Sequence, residues 1–374
     1  MIKAEKTLHY IWLTLCGGVG TARTSKVFGH FKNDATAVYK AKLSNYLDVD
    51  GLSEKDAQLF CNKDLSEAKR IAELCRNKGI DIIAFEDERY PQRLKTIKPL
   101  CPVLYVKGVI PKGIDGFSIA VVGTRRPTEY GFFCAKYIAQ ELADNGIIVV
   151  SGMAEGIDGA AQRQVLDNQG QTVAVLGSSA DYPYPYINRD IYNRISKSGA
   201  IISEYPPITK PFRQNFPVRN RIISGLCAGT VVIEAGERSG ALITAHWALE
   251  QGKDIFAVPG EITSAQSAGT NLLIKDGAIM VTKAQDIIDY YDGIYSINKK
   301  EIKKEKTSEL EVSSEAQRVL SFLSKTPIHI SELSERSQIS IAELSVSIIE
   351  LEIADKIICQ AGGFIRLGYD EFTK

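Results

Sequence analysis

Six short segments between residues 118 and 260 are apolar almost throughout: SIAVVG from Ser118, IIVVSG from Ile147, TVAVLG from Thr172, AIISEY from Ala200, TVVIEA from Thr230 and DIFAVPG from Asp254. A strand with one face in water alternates apolar and polar residues. A strand apolar on both faces must be covered on both, which is the condition of a parallel sheet wrapped by helices. Helical patterns fill the intervals at residues 131–145, 157–168, 187–198, 219–227 and 241–251. The expected fold is α/β, a doubly wound and mainly parallel sheet ending near Asp292.

Ligands of such a sheet bind outside the carboxyl ends of its strands, and nearly every strand end here suits an anion. The first run breaks at Gly123 and continues Thr124-Arg125-Arg126. A dinucleotide loop, G-x-G-x-x-G, needs its second glycine so that the backbone can approach the pyrophosphate, and an acidic residue about twenty positions on to hold the ribose. Arg125 stands in place of that glycine, and the next run ends in Ser151-Gly152 with no carboxylate. The loop is built for phosphate but not for NAD.

The second loop, Ser151-Gly152-Met153-Ala154-Glu155-Gly156-Ile157-Asp158, leaves N–H groups of small residues exposed at a helix start, a place to hold phosphate. Its glycines serve equally as tight turns. Asp158 caps the helix or orients the loop, and Arg163 lies one to two turns further on. Phe216-Pro217-Val218-Arg219-Asn220-Arg221 sets two arginines around an asparagine at a helix start. The planar donor fork of arginine matches phosphate, so the segment reads as a clamp, or else as a solvated helix start paired with carboxylates. Glu234 to Gly240 with Thr244 forms another polar loop, for a network within the fold or for a ligand.

No catalytic constellation accompanies these loops. His246, in ALITAHWALEQG, reads as a packed helical histidine, and Glu204 and Glu234 follow strands without a nucleophile at a recognisable spacing. The pattern favours binding over turnover, with no catalytic residue, metal or cofactor. The chain carries 45 Lys+Arg and 45 Asp+Glu, a formal charge of zero, so a polyanion must be held by a local patch rather than by a general basic field. Cys16, Cys61, Cys75, Cys101, Cys134, Cys227 and Cys359 show no C-x-x-C spacing and no clustered histidines. That points to buried thiols in a reduced cytoplasmic protein, not to disulfides or zinc. No apolar run reaches the roughly 18 to 20 residues that span a bilayer, and the first thirty residues lack a signal pattern.

The flanks divide the chain. Residues 1–85 read as a small domain of amphipathic helices, 86–295 as the core entered through an extended connector at 90–108, 296–314 as a charged linker containing KKEIKKEK, and 315–374 as a further domain. The last gives three helical patterns and then two short strands about Gly362-Gly363, the order of a winged helix. Residues 313–374 hold six Lys/Arg against nine Asp/Glu, and the segment in the place of a recognition helix, 341–353, carries Glu343, Glu350 and Glu352. An acidic recognition helix repels a duplex, so a protein contact or a structural role fits this domain better.

Across residues 90–280 the ordered blocks AVVGTRRPTEYG, VVSGMAEGIDGAA, FPVRNRII, VVIEAGERSGALITA, AVPGE and GTNLLIKDGA resemble the DNA-processing protein A family, also called Smf. The resemblance implies a Rossmann-like core that binds single-stranded DNA, forms a homodimer and loads the RecA recombinase on incoming DNA in natural transformation. Carried onto this chain, it implies a phosphate pocket of Gly123, Thr124, Arg125, Arg126, Ser151, Gly152 and Gly156, with Arg163, Arg219, Asn220 and Arg221 as its basic rim. It also likens the first domain to a SAM-like or helix-hairpin-helix module, with Gly17-Gly18-Val19-Gly20 as a DNA-contacting turn or simply a joint between packed helices. Gln162 departs from the histidine common in the family. The competing reading is an enzyme similar to nucleotide phosphoribohydrolases, whose P-G-G-x-G-T-x-x-E signature is absent here.

Overall fold

The computed structural model of the chain describes residues 2–16, 20–295, 312–324, 326–354, 356–360 and 362–368. They form two compact units, Met1–Lys300 and Glu301–Lys374.

The first unit opens with six helices, α1 (Ile2–Leu15), α2 (Gly20–His30), α3 (Ala35–Lys40), α4 (Leu43–Leu47), α5 (Glu54–Leu59) and α6 (Ser66–Lys78). Local chemistry sets their ends. The Asp34 carboxylate accepts from the N–H groups of Thr36 and Ala37, Ser53 caps α5, and Gly79 closes α6 in the left-handed region. The Gly17-Gly18-Val19 turn lies outside the described residues.

The helices lead into a nine-stranded sheet: β1 (Asp81–Ala84), β2 (Val103–Gly108), β3 (Ser118–Val122), β4 (Ile148–Ser151), β5 (Thr172–Val175), β6 (Ala200–Ser203), β7 (Gly229–Val232), β8 (Asp254–Ala257) and β9 (Ile279–Met280), in the order β1-β2-β6-β5-β4-β3-β7-β8-β9. From β6 to β9 every neighbouring pair is parallel, while β2 runs antiparallel to β6 and β1 antiparallel to β2. The doubly wound sheet is therefore present, with an antiparallel edge that the sequence does not announce. Residues 81–84 fall in the stretch read as helical, and β2 lies inside the stretch read as a connector. The run Val103 to Val106 is buried like the central strands, but it follows Pro99 and Pro102 closely, so the stretch reads as a connector.

The apolar runs follow from the core. Ala120, Val122, Ile148 and Val150 enter one buried cluster, and Ile119, Val121, Ile147 and Val149 enter another on the opposite face. The first cluster continues through Leu104 and Ile202 to Trp12 and Phe28, so the amino-terminal helices pack on the sheet in one core. Between and after the strands lie α7 (Glu129–Asp144), α8 (Ile157–Asp167), α9 (Arg189–Ser198), α10 (Asn215–Leu226), α11 (Gly240–Glu250), α12 (Ala268–Lys275) and α13 (Ala284–Tyr290). Helix α10 starts four residues before the expected position, because Pro217 falls in its first turn, where a missing N–H costs nothing. From β3 the chain winds one way through β4, β5 and β6, then the other way through β7, β8 and β9. The carboxyl ends of β3 and β7 thus lie side by side, with Val122 opposite Val232.

The second unit contains α14 (Ser314–Leu320), β10 (Ile328–His329), α15 (Ile330–Ser337), α16 (Ile341–Ile353), β11 (Ile357–Gln360) and β12 (Phe364–Leu367). Its three strands form an antiparallel sheet in the order β10-β12-β11, the winged-helix arrangement. Val312 is buried in its core and Ser313 caps α14, so these residues belong to the unit although the sequence placed them in the linker. The rest of that stretch, 296–311, lies outside the described residues.

Candidate functional site

The β3–β7 junction is where a dinucleotide would place its pyrophosphate, at the amino end of α7. A carboxylate from the chain itself takes that position. Glu234, just beyond β7, accepts from the Thr128 N–H at 2.8 Å and from the Thr128 hydroxyl at 2.5 Å, while Thr128 caps α7. An internal carboxyl group therefore sits at the positive end of the helix. Gly123 and Thr124 hold the junction together. A side chain on Gly123 would strike Ile157, the Thr124 N–H donates to the Glu234 carbonyl at 2.7 Å, and the Thr124 carbonyl accepts from Ile157 N–H at 3.2 Å. Glu234 is 2 % exposed and committed to these bonds, a poor position for the carboxylate the enzyme reading needs.

The second loop repeats the device. Asp158, in the first turn of α8, accepts from the Gly152 N–H at 3.1 Å. Burial pushes its pKa up, against the pull of Arg219 and of hydrogen bonds from the Gly152 and Ala154 N–H groups and from Ser151. Ser151 is fully buried and its hydroxyl donates to the Val121 carbonyl at 2.6 Å, a tie between β4 and β3. Gly156 adopts φ +78°, and a Cβ there would lie 2.4 Å from the Thr124 carbonyl, so this position demands glycine. Of the proposed phosphate loop, Ser151 and the Gly152 N–H are thus occupied from within.

The arginines separate in the same way. Arg125 and Arg126 are exposed. The Arg125 guanidinium lies over the Phe216 ring, 5.6 Å from its centroid, and that of Arg219 lies 5.8 Å from the same centroid. Both line an open cleft with Gly152, Ala154, Tyr184 and Phe216; Glu155 adds a carboxylate to its wall. Arg219 is 4 % exposed. It donates to the carbonyls of Gly152 and Val175, and its Nε donates to Asn220 Oδ1 at 3.1 Å. Burial pulls its pKa down to about 10, opposed by Asp158. Asn220 in turn donates to the Gly240 carbonyl at 3.4 Å, linking α10 to α11.

Arg221 is not part of a clamp. It is fully buried, forks onto Glu204 at 2.9 and 2.6 Å, and donates to the carbonyls of Pro99 and Val218. Burial opposes its charge, yet the Glu204 carboxylate holds its pKa above the usual value. Arg163 is exposed but paired with Asp190 on α9, at 2.5 and 3.2 Å. Gln162 faces the core, where its Nε2 donates to Thr172 Oγ1 and the Val173 carbonyl, so this position serves packing between α8 and β5. His246 is exposed on α11 beside Glu250, at 3.2 Å, and is not packed. Nor are all thiols buried, since Cys61 and Cys359 are exposed.

The loop from Asp181 to Tyr186 carries side chains of the candidate site that the sequence motifs missed, although its alternation DYPYPY is legible, and α9 begins at Arg189, two residues after the expected Ile187. Tyr184 packs against Phe216 with ring centroids 5.7 Å apart, and two residues on Tyr186 is 69 % exposed beneath the Arg189 guanidinium. Tyr182, and Phe212 from the loop before α10, are also exposed. Asp181 anchors this loop, binding Lys78 of α6 at 2.7 Å and accepting from the Ile208 N–H at 3.1 Å. Burial works to raise the Asp181 pKa, but Lys78, Ser179 and the Ile208 N–H outweigh it and hold the carboxyl below its ordinary 3.8. The stabilisation is therefore complete above the unfolded-state pKa and is lost as the pH falls through the lower folded-state value. The Ile208 amide resonance is expected to titrate with a midpoint below 3.8, and Lys78→Ala to move that midpoint upward. A midpoint indifferent to the substitution rejects the anchor.

Among the described residues no three His, Cys, Asp or Glu are grouped to hold a metal, and no helix is long and apolar enough to cross a membrane. Fold and site together define a class: a Rossmann-like core whose dinucleotide positions are filled by its own carboxylates, whose strand-end cleft presents arginine and aromatic rings, and which carries a winged helix. Residues 81–292 match the family described as DNA recombination-mediator protein A, and residues 303–363 match the DprA winged helix domain. The chain belongs to the DprA family of DNA-processing proteins.

Its relatives include the DNA processing protein DprA of Bacillus subtilis, 39% identical over 59% of this chain and 74% of the relative, and protein Smf of Escherichia coli, 32% identical over 86% of each. Among solved structures it is similar to DprA from Streptococcus pneumoniae, with TM-score 0.66 and 31% identity over 78% of this chain and 99% of that one. A DprA from Helicobacter pylori, described for its single-stranded DNA binding mode, matches with TM-score 0.53 and 30% identity over 59% of this chain and 99% of that one.

Proposed function

We propose that the chain binds single-stranded DNA in the cleft between the β3 and β4 loops and the start of α10, protects it, and passes it to the RecA recombinase during natural transformation and DNA recombination. The reading rests on one observation: the Phe216 ring lies near two guanidinia, those of the exposed Arg125 and the buried Arg219, and packs against Tyr184. A single strand brings phosphates for the arginines and unpaired bases for the rings, whereas a duplex keeps its bases stacked inside. Gly123, Thr124, Ser151, Gly152 and Gly156 then act by shaping the cleft, and Arg126 and Asn220 flank it.

The protein acts by binding rather than turnover, as a homodimer in the cytoplasm. Membership of a recombination-mediator family supports the RecA step. Fluorescence anisotropy with a labelled oligothymidylate and a duplex of equal length tests the reading. The single strand is expected to bind at least about tenfold more tightly, since a single base stacked on an aromatic ring contributes roughly 1 to 3 kcal/mol. Equal affinities overturn it, and failure of the bound strand to speed RecA filament formation removes the hand-over step alone.

A further inference from the structure

Helix α16 buries Leu344, Ser347, Ile348 and Leu351 in the core of its own unit. The opposite face is also apolar. Val346 is 68 %, Ile349 57 % and Ile353 70 % exposed, with Ala342 exposed on the same stripe and Ile341 at its start. Spacings of four, three and four residues place Ala342, Val346, Ile349 and Ile353 on one line along the helix. Glutamates border the line on both sides, Glu352 on one and Glu343 and Glu350 on the other, and α16 itself carries no lysine or arginine. Glu343 accepts from Ser340, and Glu350 from the Ser313 N–H and hydroxyl. These bonds hold both carboxyls below their ordinary range, so they are charged at neutral pH.

A helix apolar on both faces is ordinarily a covered one. Three occupants are conceivable for the outer face, and charge decides between them. A duplex carries one negative charge per about 1.7 Å of its axis, so the glutamate rims repel it at the position where a winged helix would read a groove. A second copy of the unit, paired by a two-fold axis, would set one acidic rim against another. A helix with an apolar stripe flanked by Lys or Arg satisfies both the stripe and its rims, in the helix-against-helix mode read by anchors three and four residues apart. We propose that the outer face of α16 is a docking surface for a basic amphipathic helix of another protein.

The test uses the full chain and a synthetic fluorescent peptide with leucines at the stripe positions and lysines flanking them. Two control peptides accompany it, one of scrambled order and one with glutamate in place of lysine. The lysine peptide is expected to bind at least roughly tenfold more tightly than either control, and to lose roughly tenfold on Val346→Asp with Ile349→Asp, the loss typical of removing a central anchor. Glu352→Lys is the second variant: it weakens the lysine peptide and strengthens the glutamate one, an inversion that a folding defect does not produce. Equal affinities for lysine and scrambled peptides, or indifference to both variants, overturn the proposal. So does a concentration-dependent dimer abolished by the Val346 and Ile349 substitutions, which would assign the face to a second copy.

Discussion

Replacement of Arg221 by alanine is expected to destabilise the first unit by about 3 to 5 kcal/mol, the usual consequence of removing one member of a buried ion pair. Arg221 is 0 % exposed, and Glu204 would be left 9 % exposed at its side chain with no counter-charge, while the carbonyls of Pro99 and Val218 would lose their donor. A domain stable by roughly 5 to 15 kcal/mol survives such a loss poorly. Urea unfolding of the full chain, followed by the transition of residues 1–300, measures it. The double substitution Arg221→Met with Glu204→Leu is expected to recover much of the loss, since the cost lies in the abandoned charge rather than in the absent attraction. A single-mutant loss below about 1 kcal/mol, the scale of an exposed pair, would return Arg221 to the candidates for ligand contact.

That an arginine adjacent to the cleft in sequence is absent from it in space has a simple cause. Arg219 and Arg221 are two residues apart on a helix, and residues at that spacing face different ways. With α10 starting at Asn215, Arg219 points to the Gly152 loop and Arg221 to Glu204 and Pro99. The sequence could not show which face of the helix meets the cleft, because Glu204 and Pro99 approach Arg221 only in the fold. The large sheet was legible because its central strands are apolar almost throughout and buried along their whole length, with β3, β4 and β7 each feeding two cores at once. The edge strands were not, because β1 follows directly on the helical pattern of α6 and β2 follows a stretch punctuated by Pro91, Pro99 and Pro102 that reads as a connector.

The two internal carboxylates differ in the same sense. Asp158 lies in the first turn of α8, six residues from the Gly152 N–H it accepts, and its orienting of the loop could be anticipated. Glu234 reaches Thr128 across 106 residues, a relation that only the β3–β7 pairing creates. Glu234 takes over a helix end, and Asp158 a loop N–H, that loop composition alone assigns to a ligand. The Thr128 and Gly152 N–H groups are thereby taken by the chain's own side chains.

Arg125→Ala is therefore expected to have the largest effect on DNA binding with the least effect on the fold. Arg125 is exposed and its guanidinium lies over the Phe216 ring, so its loss should leave stability within about 0.5 kcal/mol. Loss of a charge-assisted bond to phosphate should weaken single-strand binding by about 1.5 kcal/mol, roughly tenfold. The slope of log affinity against log salt should become shallower by about 0.7, the value for one contact on a single strand. Titrations between about 50 and 200 mM salt resolve this slope. Two comparisons separate phosphate from base. Phe216→Leu should weaken binding while leaving the slope unchanged, because stacking releases no counterion, and Arg163→Ala should alter neither, because Asp190 already neutralises that guanidinium. An unchanged slope in Arg125→Ala would take the cleft off the path of the phosphates. The measurement can resolve a single arginine because the chain's formal charge is zero: with no diffuse basic field to add to it, the slope counts local contacts.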